Sequence, residues 1–84
     1  MLIPFRDLKK LPVYTRSGIF LGKIVGFELE AEAHLVRVYF VRKILGPELA
    51  ISREQVVSIT AEKMTVEDTF IKETAYVSAA PSNS

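Results

Sequence analysis

The side chains able to do chemistry in this chain are few, and their spacing does not bring them together. His34 is the only histidine among 84 residues, and cysteine is absent. A thiolate nucleophile, a disulfide framework and a cysteine-based zinc site are thereby excluded. A metal or acid–base site built on His34 would have to draw nearly all its other groups from Asp and Glu. His34 falls at the end of a predicted hairpin and reads as a turn residue. Glu28, Glu30 and Glu32 alternate, so at least the first two project from one strand face. Two such carboxylates could hold a divalent cation or share a proton, but a solvated surface with Arg37 opposite Glu28 accounts for them as well. Ser17, Ser52 and Ser58 sit in no nucleophile motif, and no second histidine exists to serve as a base. Gly18, Gly22 and Gly26 fall at turn and strand positions, not in a phosphate-cradling loop between strand and helix. The sequence therefore predicts a non-enzyme, with no catalytic residue, no metal site and no cofactor.

Binding chemistry is more plausible. Eleven basic residues face ten acidic ones, for a net charge of +1, which provides no long-range field for gathering nucleic acid or anionic membrane. Arg6, Lys9 and Lys10 form one small basic cluster, and Arg42 and Lys43 another. With aromatic neighbours these could contact single-stranded nucleic acid, although the interspersed acids make them read as solubility charges. The apolar start, Met1-Leu2-Ile3-Pro4-Phe5, is broken by Pro4, Arg6 and Asp7. It is too short for a signal-peptide core or a membrane span. A cytoplasmic location without membrane insertion is the expectation.

The elements that would position such residues are strands. Hydrophobic residues make up 49% of the chain, with five Phe and three Tyr, enough to form a core in a domain small enough to be marginally stable. They come in short β-branched runs separated by turn chemistry, the spacing of an all-β sandwich or barrel. Residues 11–15 read as a first strand with Pro12 at its start, and Gly18 as the positive-φ residue of a tight turn. Residues 19–30 form a long second strand in which Gly22 and Gly26 mark bulges or corners. Residues 34–41 return as a third strand, in a register whose residue numbers sum to about 65. That register sets Phe27 against Val38, Leu29 against Val36 and Glu28 against Arg37, with Gly26 beside Tyr39. A loop follows over 42–48, then a short strand at 49–51. Ser52 with Gln55 three residues on is a capping box that predicts one helical turn. Residues 56–60 and 64–67 are further strands, 69–77 could add an edge strand, and 78–84 has the composition of a disordered tail. The chain thus divides into a single domain over 1–77 and the tail.

The same register leaves Leu35, Tyr39, Val41 and Ile24 on the outward face beside Arg37, more apolar than a solvated sheet face should be. Either the lead segment, the 42–47 loop or the C-terminal arm covers this face, or another protein does. The arm itself, with Phe70 and Tyr76 on one face and Ile71 and Val77 on the other, needs cover on both sides. Two copies could provide it by exchanging arms or pairing edges in a homodimer. Leu35, Arg37, Tyr39, Val41, Phe70 and Tyr76 are the candidate partner-binding residues.

Two stretches carry a resemblance. Leu11-Pro12-Val13-Tyr14 followed by Ser17-Gly18, then Leu21-Gly22-Lys23-Ile24-Val25-Gly26-Phe27-Glu28-Leu29, resembles the opening of the PRC-barrel family. Ile51-Ser52-Arg53-Glu54-Gln55-Val56-Val57-Ser58-Ile59, followed by Met64-Thr65-Val66-Glu67-Asp68, resembles its closing half. The resemblance implies a small all-β barrel of about six strands with one short helical turn. Members include the C-terminal domain of the ribosome maturation factor RimM and the cytoplasmic domain of the photosynthetic reaction-centre H subunit. A fold does not fix a function. The residues predict a non-enzymatic adaptor that binds another protein, and the resemblance adds the alternative of an RNA- or ribosome-associated assembly factor.

Overall fold

In a computed structural model that describes residues 1–68, six strands form one sheet in the order β4-β3-β2-β1-β6-β5. They are β1 (Pro12–Thr15), β2 (Phe20–Glu30), β3 (Leu35–Arg42), β4 (Leu49–Ser52), β5 (Val56–Ile59) and β6 (Met64–Val66). β1, β2, β3 and β4 pair antiparallel in sequence order, β6 returns to lie parallel to β1, and β5 pairs antiparallel with β6. The edge strands β4 and β5 are consecutive in sequence, joined by a 3-10 turn over Arg53–Gln55. The sheet thus curls around one core without a hydrogen-bonded ladder across that seam. The expected all-β fold of six strands and one helical turn is present, and among the described residues the sheet is not closed into a complete barrel.

The 3-10 turn forms where the capping box places it. The Ser52 side chain accepts from the Glu54 N–H at 3.2 Å, and the Ser52 N–H donates to Gln55 Oε1 at 3.0 Å, satisfying donors that the turn would otherwise leave orphaned. Gly18 has the expected positive φ of 97° in the β1–β2 turn. A second helix, α1 (Phe5–Leu8), precedes β1. Sequence periodicity does not reveal it, because four residues are too few to show a helical period. It tethers the N-terminus by setting the Phe5 ring edge-on to Phe27, with centroids 5.7 Å apart.

The core comprises Leu11, Val13, Leu21, Ile24, Tyr39, Val41, Ile51, Met64 and Val66, with Phe27 and Val36 among the half-buried residues packed against it. This corrects the face assigned from sequence. Ile24, Tyr39 and Val41 point inward, so no outward apolar face exists at these positions and nothing is needed to cover one. The reason is a pair of β-bulges. Ile24 pairs with Val41 and Gly26 with Phe40, so Val25 is an extra residue in β2; Glu28 pairs with Val38 and Leu29 with Val36, so Arg37 is an extra residue in β3. Each bulge breaks the period of two, and strict alternation from Phe27 and Val36 therefore assigns the wrong face to Ile24, Tyr39 and Val41. Between the bulges the register sum is one higher than expected. Phe27 accordingly faces Tyr39, Gly26 lies beside Phe40, and Glu28 faces Val38 rather than Arg37. Arg37 instead approaches Glu30, at 3.8 Å.

Candidate docking surface

With Ile24, Tyr39 and Val41 inside, the exposed apolar surface lies elsewhere. β3 ends at Arg42, and residues 43–48 loop across to β4. Gly46 and Pro47 punctuate that loop, and the two residues before them stand in water: Ile44 is 97% exposed and Leu45 95%. Isolated exposed aliphatics are ordinary, but these two are adjacent and lie beside Phe20 at the start of β2. Phe20, Lys23, Arg42, Lys43, Ile44 and Leu45 line a depression of about 570 Å³. A second, of about 220 Å³, shares Phe20 and Lys43 and is lined also by Ile19, Leu21, Pro47 and Leu49. The two adjoin at Phe20 and Lys43, and together they are the furrow between the β1–β2 turn and the 43–48 loop.

The backbone holds both walls in place. Gly22 has φ of 137°, and a Cβ there would stand 2.5 Å from the Arg42 carbonyl carbon and 2.8 Å from the Lys43 nitrogen. The missing side chain lets the end of β3 pass close over β2 and sets where the loop departs. On the other wall, Thr15 Oγ1 accepts from the Ile19 N–H at 3.1 Å, fixing the β1–β2 turn. Asp68 Oδ1 accepts from the Ser17 backbone N–H and from the Ser17 hydroxyl, each at 3.0 Å. The Ser17 N–H, then its hydroxyl with Thr15 and Arg16 nearby, holds the Asp68 carboxyl below its ordinary range.

The charge of the furrow has one sign. Among the described residues Lys23, Arg42 and Lys43 line it and no acidic residue does. The ion pairs among the described residues are Arg16–Glu67, Arg37–Glu30 and Arg53–Glu54, so these three cations are unpaired there. Among the described residues, no group of three or more His, Asp or Glu side chains converges in a way that could hold a metal ion. His34 is an exposed turn residue with φ of 60°, and Glu28 is exposed on β2. No helix among the described residues is long and apolar enough to cross a membrane.

The four candidate partner-binding residues among the described ones divide between surface and core. Leu35 is half-buried at the start of β3, Arg37 is exposed at its bulge, and Tyr39 and Val41 are in the core. Burial in the low-dielectric interior, offset by nearby Arg53, pushes the Tyr39 phenol up. Phe70 and Tyr76 lie outside the described residues, as do the proposed edge strand and tail. The loop thought able to cover the sheet presents its aliphatics to solvent instead. Ile44, Leu45, Phe20 and Lys23 were not among the residues singled out for binding. The signal was nevertheless present: two bulky aliphatics between a basic pair and Gly-Pro, in a segment with no strand to bury them.

A family described as the PRC-barrel domain matches residues 2–74. No curated protein matches the chain significantly. Among solved structures, it is similar to a 16S ribosomal RNA processing protein, RimM, of Pseudomonas aeruginosa, with TM-score 0.57 and 19% identity. The match covers 77% of this chain and 43% of that one. At that identity the likeness concerns the fold, and the chain corresponds to less than half of that protein.

Proposed function

The chain belongs to the PRC-barrel domain family, and from that premise we propose that it is a non-enzymatic binding module that engages another protein through the furrow between residues 19–23 and 42–49. The observation that carries this reading is the adjacent pair Ile44 and Leu45, 97% and 95% exposed. Leaving two aliphatics uncovered forgoes a few kcal/mol of hydrophobic stabilisation (roughly 1.5–3 for each side chain) that their burial against a partner would recover. A domain of this size holds little stability in reserve, which makes a use for them on binding the more economical explanation. One histidine and no cysteine leave little for catalysis to use.

A second reading, an RNA- or ribosome-associated assembly factor, is favoured by Lys23, Arg42 and Lys43, which have no ion-pair partner among the described residues, and by the fold shared with a ribosomal RNA processing protein. Affinity capture from the native host with the wild type and an Ile44→Asp, Leu45→Ser variant separates the two. A stoichiometric protein partner lost in the variant supports the first. Co-sedimentation with ribosomal particles that persists in the variant but is lost in Lys23→Glu, Arg42→Glu supports the second.

A further inference from the structure

We propose that the furrow receives a protein segment carrying a bulky apolar side chain flanked by carboxylates; this rests on the reading of the chain as a protein-binding module and specifies the chemistry of its partner. The argument is one of complementarity. The lining is apolar along its length, from Leu49, Pro47 and Ile19 past Phe20 to the exposed Ile44 and Leu45 at its open end. Among the described residues every charged side chain that lines the furrow is a cation, and the exposed Glu48 on the same loop is not part of the lining. A matching ligand buries an apolar group between the walls and sets negative charge beside Lys23, Arg42 and Lys43, which lowers the cost of desolvating those cations.

Two other anionic ligands fit less well. Single-stranded nucleic acid needs flat aromatic platforms for its bases. Among the described residues Phe20 is the one aromatic lining the furrow, and it is 37% exposed and leans on Tyr14 at a centroid distance of 5.4 Å. An anionic membrane would accept Ile44 and Leu45 as an inserted tip. A bilayer surface could not follow the furrow down to Leu21, which is 6% exposed, or to half-buried Leu49, whereas an inserted side chain can. The aliphatic tip and the inner depression together therefore select a peptide.

The test is an amide-shift titration of the full-length, isotope-labelled chain. The probe is a peptide of about a dozen residues with one phenylalanine–leucine pair flanked by glutamates. Micromolar affinity, on the order of 10–100 μM, is expected of so small an interface, with shifts confined to residues 19–23 and 42–49. Ile44→Asp should weaken binding about tenfold or more, and Lys43→Glu severalfold, roughly three to ten times. Moderate salt should weaken it as well. Because Ile44 and Leu45 are exposed, folding does not confound these variants. Parallel arms use oligouridylate, and phosphatidylcholine vesicles containing about a quarter phosphatidylglycerol. Stronger Ile44-dependent binding to either than to the peptide would overturn the proposal, as would equal binding of a control peptide with serines in place of the apolar pair. A homodimer broken by Ile44→Asp would overturn it too, by making a second copy the occupant. Host-protein capture unaffected by Ile44→Asp would overturn this docking site while leaving the module a protein binder.

Discussion

Gly22 and Arg42 approach each other more closely than any other side chain at position 22 would allow: an added Cβ would stand 2.5 Å from the Arg42 carbonyl carbon and 2.7 Å from its oxygen. The obstacle is backbone, which cannot swing aside as a side chain can, and the positive φ adds its own strain. Gly22→Ala should therefore destabilise the domain by about 1–3 kcal/mol, read as a lowered denaturation midpoint. Gly26 sits in the same strand next to a bulge, but its φ is not in the left-handed region, and a Cβ there would meet Phe40 Cδ2 at an ordinary 3.9 Å. Gly26→Ala should change stability by less than about 1 kcal/mol. Equal losses at the two sites would show that strand propensity, not close approach, sets the cost.

The contrast between these glycines shows what the sequence made legible. That glycines mark irregular places in a long strand was readable, but which one carries a backbone contact depends on where β3 ends, a tertiary fact. The capping box at Ser52 and the turn at Gly18 were readable because their hydrogen bonds close within three or four residues. Gly26 signalled the bulge beside it at Val25, but not which residue was the extra one, and the bulge at Arg37 had no local signature. One extra residue in each strand, left out of the alternation, was enough to assign Ile24, Tyr39 and Val41 to the surface instead of the core. The furrow was hidden for the same reason. Ile44 and Leu45 matter only once the sheet's true inner face is known and the loop is seen not to cover it.

Ser52 performs two tasks, and removing its hydroxyl should reveal both. It accepts from the Glu54 N–H and donates to the Glu54 carboxylate at 2.7 Å. Ser52→Ala should cost about 0.5–2 kcal/mol through the lost cap. The Glu54 carboxyl, held below its ordinary range first by the Ser52 hydroxyl, should also titrate higher in the variant. Carboxyl-detected NMR titration of wild type and variant follows this directly, and an unmoved Glu54 would show that the hydroxyl does not hold it.

Asp68 gives the domain a dependence on acid. Its carboxyl is depressed in the folded state, first by the Ser17 backbone N–H, so the folded chain binds that proton less readily than the unfolded chain. Stability from this group is present above the unfolded value of about 4 and lost as pH falls through the folded one. Asp68→Asn should lower the melting temperature at neutral pH, and the gap to wild type should shrink as pH is taken down to about 3. A gap that stays constant across that range would mean the charge on Asp68 contributes nothing to the fold.

Two isoleucines test whether core and docking surface are distinct. Ile24 is 1% exposed on β2 and pairs with Val41, while Ile44 is 97% exposed on the loop. Truncating Ile24 removes buried methyl and methylene groups from a closely packed site, so Ile24→Ala should cost about 2–5 kcal/mol. Ile44→Ala removes the same atoms from water and should fall within about 0.5 kcal/mol of wild type. Chemical denaturation of the two variants reads both costs on one scale. If Ile44→Ala destabilises the chain as much as Ile24→Ala, the loop is packed in solution and the furrow is part of the core. If its stability is unchanged, any binding lost on substituting Ile44 is lost at the surface itself, where its side chain stands beside Lys43 with no cover of its own.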